Sequence, residues 1–245
     1  MNTSDLTEPV VAVVVAAGSG VRFGGSTPKA LVSLAGRPLV RHSVEALVSG
    51  GAARVVVVTA DDLRPDFEDA LRGVGVPVDF VGGGRRRQDS VRAGLEALAG
   101  AGVTSAVVLV HDAARPLVPT EVVAGVVAAV AEGAPAVVPA VAVVDSIRSL
   151  SPHGGSSVVD RSLLRAVQTP QGFDLTALLA AHRAIATSAD ELTDDAAVME
   201  RAGHAVSLVE GSRDSLKVTE PIDLDLAEAV LARRKLAGQL NKGAR

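Results

Sequence analysis

Apolar residues in this chain gather in short β-branched runs, separated by segments in which they recur at helical intervals. Residues 10–15 are all Val or Ala, a run of the length expected of a fully buried strand. Runs at 54–59, 76–81, 104–110 and 136–139 share that character, the one at 104–110 broken at His111 and Asp112. Between them the period changes. Leu39, Ser43, Ala46 and Leu47 recur at roughly helical spacing within 38–48. A short helix is expected near 66–72 and another, rich in Val and Ala, over 119–131. Val91, Leu95 and Leu98 form one helical face behind Asp89 and Ser90, either of which suits a helix N-cap. Strand–helix alternation with strands apolar throughout predicts an α/β chain: a Rossmann-like, mostly parallel sheet with helices on both faces.

The pattern breaks between 140 and 167. Two or three short alternating segments surround S-P-H-G-G-S at 151–156, which is loop chemistry. This predicts a β-arm projecting from the sheet rather than another crossover. Helices resume over 174–187 and 193–202, a strand follows at 205–209, and 216–218 forms a short extended piece. T-E-P-I at 219–222 opens a last helix to about 236, with Pro221 in its first turn. No internal repeat or long linker interrupts 10–236, which reads as a single domain with its arm at about 140–167. Residues 1–9 form a flexible N-terminal tail and 237–245 a frayed C-terminal one.

Composition narrows the chemistry. Of 245 residues 48% are hydrophobic but only 2% aromatic, so the core is Val, Leu and Ala, and stacking platforms for single-stranded nucleic acid are nearly missing. A net charge of -4 argues against a general polyanion-binding surface, so basic clusters are local. With no Cys there is no disulfide, thiolate metal site or Cys nucleophile, as in a reducing compartment. The head is polar with Asp5 and Glu8, no apolar run reaches about 18 residues, and a cytoplasmic location is expected.

The segment after the first run carries Gly18, Gly20, Gly24 and Gly25, with Arg22 and Lys29 among them. A strand emptying into such a loop suits a polyphosphate, since glycines let backbone N–H groups approach phosphate oxygens and cations offset the charge. A dinucleotide fingerprint fails because Phe23 stands at its third glycine. A Walker loop fails because Lys29 follows Pro28 and precedes Ala30. A loop of this length inside a compact domain points to function.

A-A-G-S-G-V-R-F-G-G-S-T-P-K-A at 16–30 resembles the signature loop of sugar-phosphate nucleotidyltransferases. H-D-A-A-R-P at 111–116, V-D-R at 159–161, Q-T-P-Q at 168–171, L-T-D-D at 192–195 and D-S-L-K-V-T at 214–219 narrow it. In that order they resemble the 2-C-methyl-D-erythritol 4-phosphate cytidylyltransferases. The resemblance implies the nucleotide-diphospho-sugar transferase fold and transfer of CMP from CTP to methylerythritol phosphate, with Mg²⁺ as the usual partner of the triphosphate. It gives Arg22 and Lys29 the stabilisation of charge at the α-phosphate. Ala16, Ala17, Gly18, Gly20, Gly84, Ser90 and Asp112 are implied on the nucleotide, with Asp112 also a candidate Mg²⁺ ligand. Arg161 and Lys217 are implied to hold the attacking phosphate, with Arg115, Ser146, Thr169 and Thr193 as further substrate contacts. Ser146 stands where the family more often has Thr. Thr193 competes with a role as helix N-cap, and Arg115 is open between Asp112 and phosphate. His111 is read as structural. The run Arg85, Arg86, Arg87 is read as solvated charge. By the same resemblance the arm crosses to a second copy in a homodimer. Two alternatives stay open: a ribitol 5-phosphate cytidylyltransferase, and a non-catalytic nucleotide-binding regulator on the same fold.

Overall fold

A computed structural model describes residues 8–18 and 27–243. The first half alternates as the apolar runs predict: β1 (Val10–Val15), a small hairpin of β2 (Ser33–Leu34) and β3 (Arg37–Pro38), then α1 (Leu39–Ser49) and β4 (Arg54–Thr59). α2 (Arg64–Ala70), β5 (Val78–Gly82), α3 (Arg87–Gly100), β6 (Val107–Asp112) and α4 (Thr120–Ala131) follow. The second half holds β7 (Ala136–Ala142), β8 (Ile147–Leu150), β9 (Ser156–Val159), β10 (Arg165–Val167) and β11 (Gln171–Asp174). It ends with α5 (Leu175–Ala184), α6 (Asp195–Arg201), β12 (Ser207–Glu210) and α7 (Pro221–Gly243).

Among the described residues the main sheet runs β10-β7-β11-β6-β1-β4-β5, with β12 beside β7. β5, β4, β1 and β6 are parallel neighbours, and β12 is parallel to β7. After β1 the chain adds strands on one side, then crosses back to lay β6 on the other. Ligands of open α/β sheets bind at the carboxyl edge of such a reversal.

Side chains alternate across the strands, so each valine run splits between two cores. Val10, Ala12, Val14, Val55, Val57 and Leu109 pack with Val44 and Leu47 of α1 and Val123 and Val126 of α4. Val11, Val13, Val56, Val58, Val108 and Val110 face Val91, Leu95 and Leu98 of α3 and Leu178 of α5. α3 lies close because it carries Gly94, where a Cβ would fall 2.5 Å from a methyl of Val13. A third cluster of Leu34, Leu39, Leu117, Val218 and Ala227 anchors α7 and the segment before it.

Four expectations need correction. β11 is a strand of the main sheet, antiparallel to both β6 and β7, at a place where no strand was expected. β10 likewise pairs with β7, so the projecting part reduces to the β8–β9 hairpin. Residues 8 and 9 are not free tail: the Pro9 carbonyl accepts from Val107 N–H and Glu8 accepts from the Ser105 hydroxyl. α7 continues to Gly243 through most of the expected C-terminal tail.

Candidate active site

Five chain segments converge at the carboxyl edge around a cavity of about 430 Å³. Ala16, Ala17 and Gly18 leave β1, and Ala16 N–H stays bonded to the Val58 carbonyl at 2.8 Å. Gly84, Arg85, Arg86, Arg87 and Ser90 come from the β5–α3 turn. Asp112, Ala113 and Ala114 come from the end of β6, and Lys217 from the segment before α7. Lys29 stands on a single 3-10 turn, Lys29–Leu31, whose Ala30 is buried in the core and so fixes the turn beneath the lysine. Gly18 has open space where a Cβ would lie, so a ligand can approach its backbone. Arg22 and Gly20 lie outside the described residues.

Helical geometry explains the β5–α3 turn. Asp89 accepts from Arg86 N–H and from its guanidinium, closing the first turn of α3. The expected N-cap role of Ser90 is not what it does: its hydroxyl accepts from Gly84 N–H at 3.1 Å and donates to the Arg86 carbonyl. Gly84 and Ser90 therefore hold each other, and a Cβ at Gly84 would meet that of Asp89 at 2.3 Å.

The arginine run is not solvated as expected. Arg85 is exposed, but Arg86 donates to the carbonyls of Ser188 and Asp190 as well as to Asp89. Arg87 donates to the buried Asp195 at 2.7 Å and approaches Asp112 at 3.6 Å. Lys217 meets the other oxygen of Asp112 at 2.7 Å. His182 approaches the second oxygen of Asp195 at 3.1 Å. A continuous file of polar contacts therefore runs from the cavity inward: Lys217, Asp112, Arg87, Asp195, His182. Burial would raise the Asp112 carboxyl, but Arg87 and Lys217 outweigh it and hold it well below the usual carboxylate range. Asp195 is likewise lowered, burial being overcome by Arg87 and by the His182 contact.

Arg87, Asp195 and His182 escaped the sequence reading as members of this site. A signal existed, because 87, 90, 91 and 94 share one face of α3, which puts Arg87 beside Ser90. Asp195 lies in the L-T-D-D motif at 192–195, but nothing in the sequence paired it with Arg87. Asp194, not Thr193, is the N-cap of α6, its carboxylate accepting from Ala197 N–H at 2.9 Å. Gln171 of β11 then fixes the start of α6, accepting from Asp195 and Ala196 N–H groups.

Other expected substrate contacts are committed elsewhere. The Thr169 hydroxyl lies between His111 Nδ1 at 2.9 Å and Asp112 N–H at 3.1 Å. The Arg115 carbonyl can only accept, so His111 Nε2 donates to it at 3.1 Å and Nδ1 accepts from Thr169. Thr169 and His111 thus fix the backbone of Asp112, and burial pushes His111 down to about 4. Arg115 donates to the carbonyls of Ser215 and Val167, while its charge helps to hold the Asp112 carboxyl low. Ser146, Thr193 and Arg161 do not line the cavity. Ser146 is exposed at the foot of the arm, Thr193 is exposed before α6, and Arg161 donates to the Val144 carbonyl.

The donor set does not fit a resident metal. Among the described residues Asp112 is the one carboxylate lining the cavity, and both its oxygens face cations. Among the described residues no group of three or more His, Cys, Asp or Glu side chains converges. The expected Mg²⁺ ligand is therefore an ion-paired carboxylate.

Comparison with known proteins bears on this arrangement. Residues 10–233 match the family model described as 2-C-methyl-D-erythritol 4-phosphate cytidylyltransferase. A protein of that name from Streptomyces coelicolor is 47% identical over 237 residues, spanning 92% of this chain and 86% of the relative. One from Saccharopolyspora erythraea is 48% identical over 225 residues, spanning 91% and 99%. The crystal structure of the Thermus thermophilus enzyme superposes with a TM-score of 0.72 at 36% identity, covering 90% of this chain and 98% of that one. A 4-diphosphocytidyl-2C-methyl-D-erythritol synthase from Anaerococcus prevotii gives 0.80 at 24% identity over 92% and 96%, a likeness of fold. With its motifs carried by one continuous match, the chain belongs to the 2-C-methyl-D-erythritol 4-phosphate cytidylyltransferase family.

Proposed function

We infer that this protein transfers CMP from CTP to 2-C-methyl-D-erythritol 4-phosphate, releasing pyrophosphate. The observation carrying the reading is the cavity at the sheet reversal, where Ala16, Ala17, Gly18, Lys29, Asp112 and Lys217 meet in a chain of this family. A phosphate oxygen of the acceptor attacks the α-phosphorus of CTP, and the bond to the β-phosphate breaks. A phosphate monoester has its second pKa near about 6, so the nucleophile is largely dianionic at neutral pH. No general base is needed, and the buried, fully bonded His111 is not one.

What remains is positioning and charge. Ala16, Ala17 and Gly18 keep the approach to the nucleotide open, while Gly84 and Ser90 shape its far wall. Lys29, with Arg22, offsets charge building at the α-phosphate. Lys217 presents the acceptor phosphate, joined by Arg161 of the arm. Leu150, Val158 and Leu163 are 80%, 73% and 82% exposed around that arm, which supports an arm that packs on a second copy and a site completed across a homodimer. Mg²⁺ enters only as a counter-ion of the triphosphate. Among the described residues no helix is long and apolar enough to cross a membrane, and the Cys-free composition supports a cytoplasmic setting.

Pyrophosphate release from CTP, measured with each acceptor in turn, tests the reading. It predicts release with methylerythritol phosphate and at most a trace with ribitol 5-phosphate. The reverse preference would make the chain a ribitol 5-phosphate cytidylyltransferase, and release with neither would favour a regulator.

A further inference from the structure

The file of charges behind Asp112 reaches well beyond what charge balance in the cavity requires. Asp195 is fully buried, yet it is charged and spends one oxygen on Arg87 and the other on His182. Gln171 holds its backbone from a third element. A buried carboxylate is costly to keep, and here it fixes a single guanidinium. That guanidinium has its other face toward Asp112, 3.6 Å away, while Lys217 sits closer at 2.7 Å.

This matters once Lys217 is asked to meet a phosphate. Its side chain is 42% exposed and can turn toward a ligand, but Asp112 is only 14% exposed and cannot be left unpaired without penalty. A second cation waiting beside Asp112 removes that penalty. We propose that Arg87, held by Asp195, is a positioning residue that keeps the Asp112 carboxylate compensated when Lys217 shifts from it to the acceptor phosphate. Asp112 then acts as a shared counter-ion: Lys217 holds it in the empty site, and Arg87 holds it in the loaded one. Arg87 touches no reacting atom in this scheme.

The inference rests on the reading of Lys217 above, and a double-mutant cycle separates the two. Arg87→Gln, Lys217→Ala and the double variant are assayed at saturating CTP, with the KM for CTP and the melting temperature followed in parallel. Arg87→Gln is expected to lower kcat/KM for the acceptor by about 10-fold to 10²-fold, the range that misplacement of a binding group produces. The KM for CTP is expected to stay within about threefold, which a general loosening of the cavity would not allow, and Arg87→Lys is expected to recover part of the loss. The double variant is expected to be no slower than Lys217→Ala alone. Where Arg87→Gln fails to fold, Asp195→Asn, which removes the charge holding Arg87 at nearly constant shape, carries the same expectations. A slow Lys217→Ala with the Arg87 or Asp195 variant at wild-type acceptor kcat/KM overturns the inference alone, and so do strictly multiplicative losses. Lys217→Ala at wild-type rate overturns the assignment of Lys217, and the inference with it.

Discussion

His111 shows how one side chain can serve a site without entering it. Its ring is buried, accepts from Thr169 and donates to Arg115, and so fixes the backbone that carries Asp112. The bond pattern needs a neutral ring, because a protonated Nδ1 would face Thr169 as a second donor. A folded pKa of about 4 against roughly 6.5 unfolded means that the unfolded chain binds the proton first. This contribution to stability is whole above pH about 6.5 and is lost as pH falls toward about 4. The loss is roughly 3 kcal/mol. Urea unfolding at pH 7 and pH 4 checks it. His111→Asn, which keeps a polar group near Thr169, is predicted to lose about that much less stability between the two pH values than the wild type. Equal losses in both proteins would remove His111 as the source.

At the scale of the element, Lys217 depends on its neighbour. Val218 is fully buried with Leu34, Leu39 and Ala227, and its N–H bonds the Ala114 carbonyl at 2.8 Å. One residue from the end of α7's anchor, the lysine is thereby carried to Asp112. Val218→Ala is expected to cost about 2 kcal/mol, two methyl groups plus a partly collapsed cavity, and to slow turnover several-fold. Leu47→Ala in α1, equally buried but in a different core cluster from Val218, is expected to cost about as much or more with turnover kept while the protein is folded. Equal turnover losses in the two variants would show that Val218 contributes only to stability. The valine strands were legible because buried parallel strands need continuous apolar runs. β11 was not legible: Gln171, Gly172 and Phe173 form no such run, and the fold buries them by inserting the strand between β6 and β7. Gly172 admits the close approach of α4, since a Cβ there would lie 2.4 Å from Val126.

For the whole molecule, the arm and the charge file set what a sequence can and cannot disclose. Ala16 to Gly18 and Asp112 were readable because each follows or ends a strand of the sheet and strand ends meet at one edge, whereas Lys29 and Lys217 were readable only through their motifs. Arg87 and Asp195 are 108 positions apart, and only the packing of α3 on α5, and of α5 on α6, makes them partners. The motif of Thr169 placed it near the site, but its bonds to His111 and to the Asp112 N–H were not legible in it. The inferred dimer follows from the same scale, since the exposed apolar residues of the arm have no cover within one chain. Sedimentation is expected to give two copies. Leu150→Asp with Val158→Asp is expected to give a monomer whose acceptor kcat/KM falls by at least tenfold, because a substrate site completed by Arg161 from a second copy is then lost. A fully active monomer would contradict the shared site.

If CMP is transferred in the cavity at the carboxyl edge, Lys29 is the cation there whose proposed work is stabilising the transition state. Steady-state turnover of Lys29→Ala with CTP and methylerythritol phosphate is the most direct test. The predicted result is a kcat lowered by roughly 10²–10³, or about 2.7–4 kcal/mol, the cost of removing one preorganised donor, with an unchanged melting temperature. A folded Lys29→Ala turning over within about twofold of the wild type would contradict it.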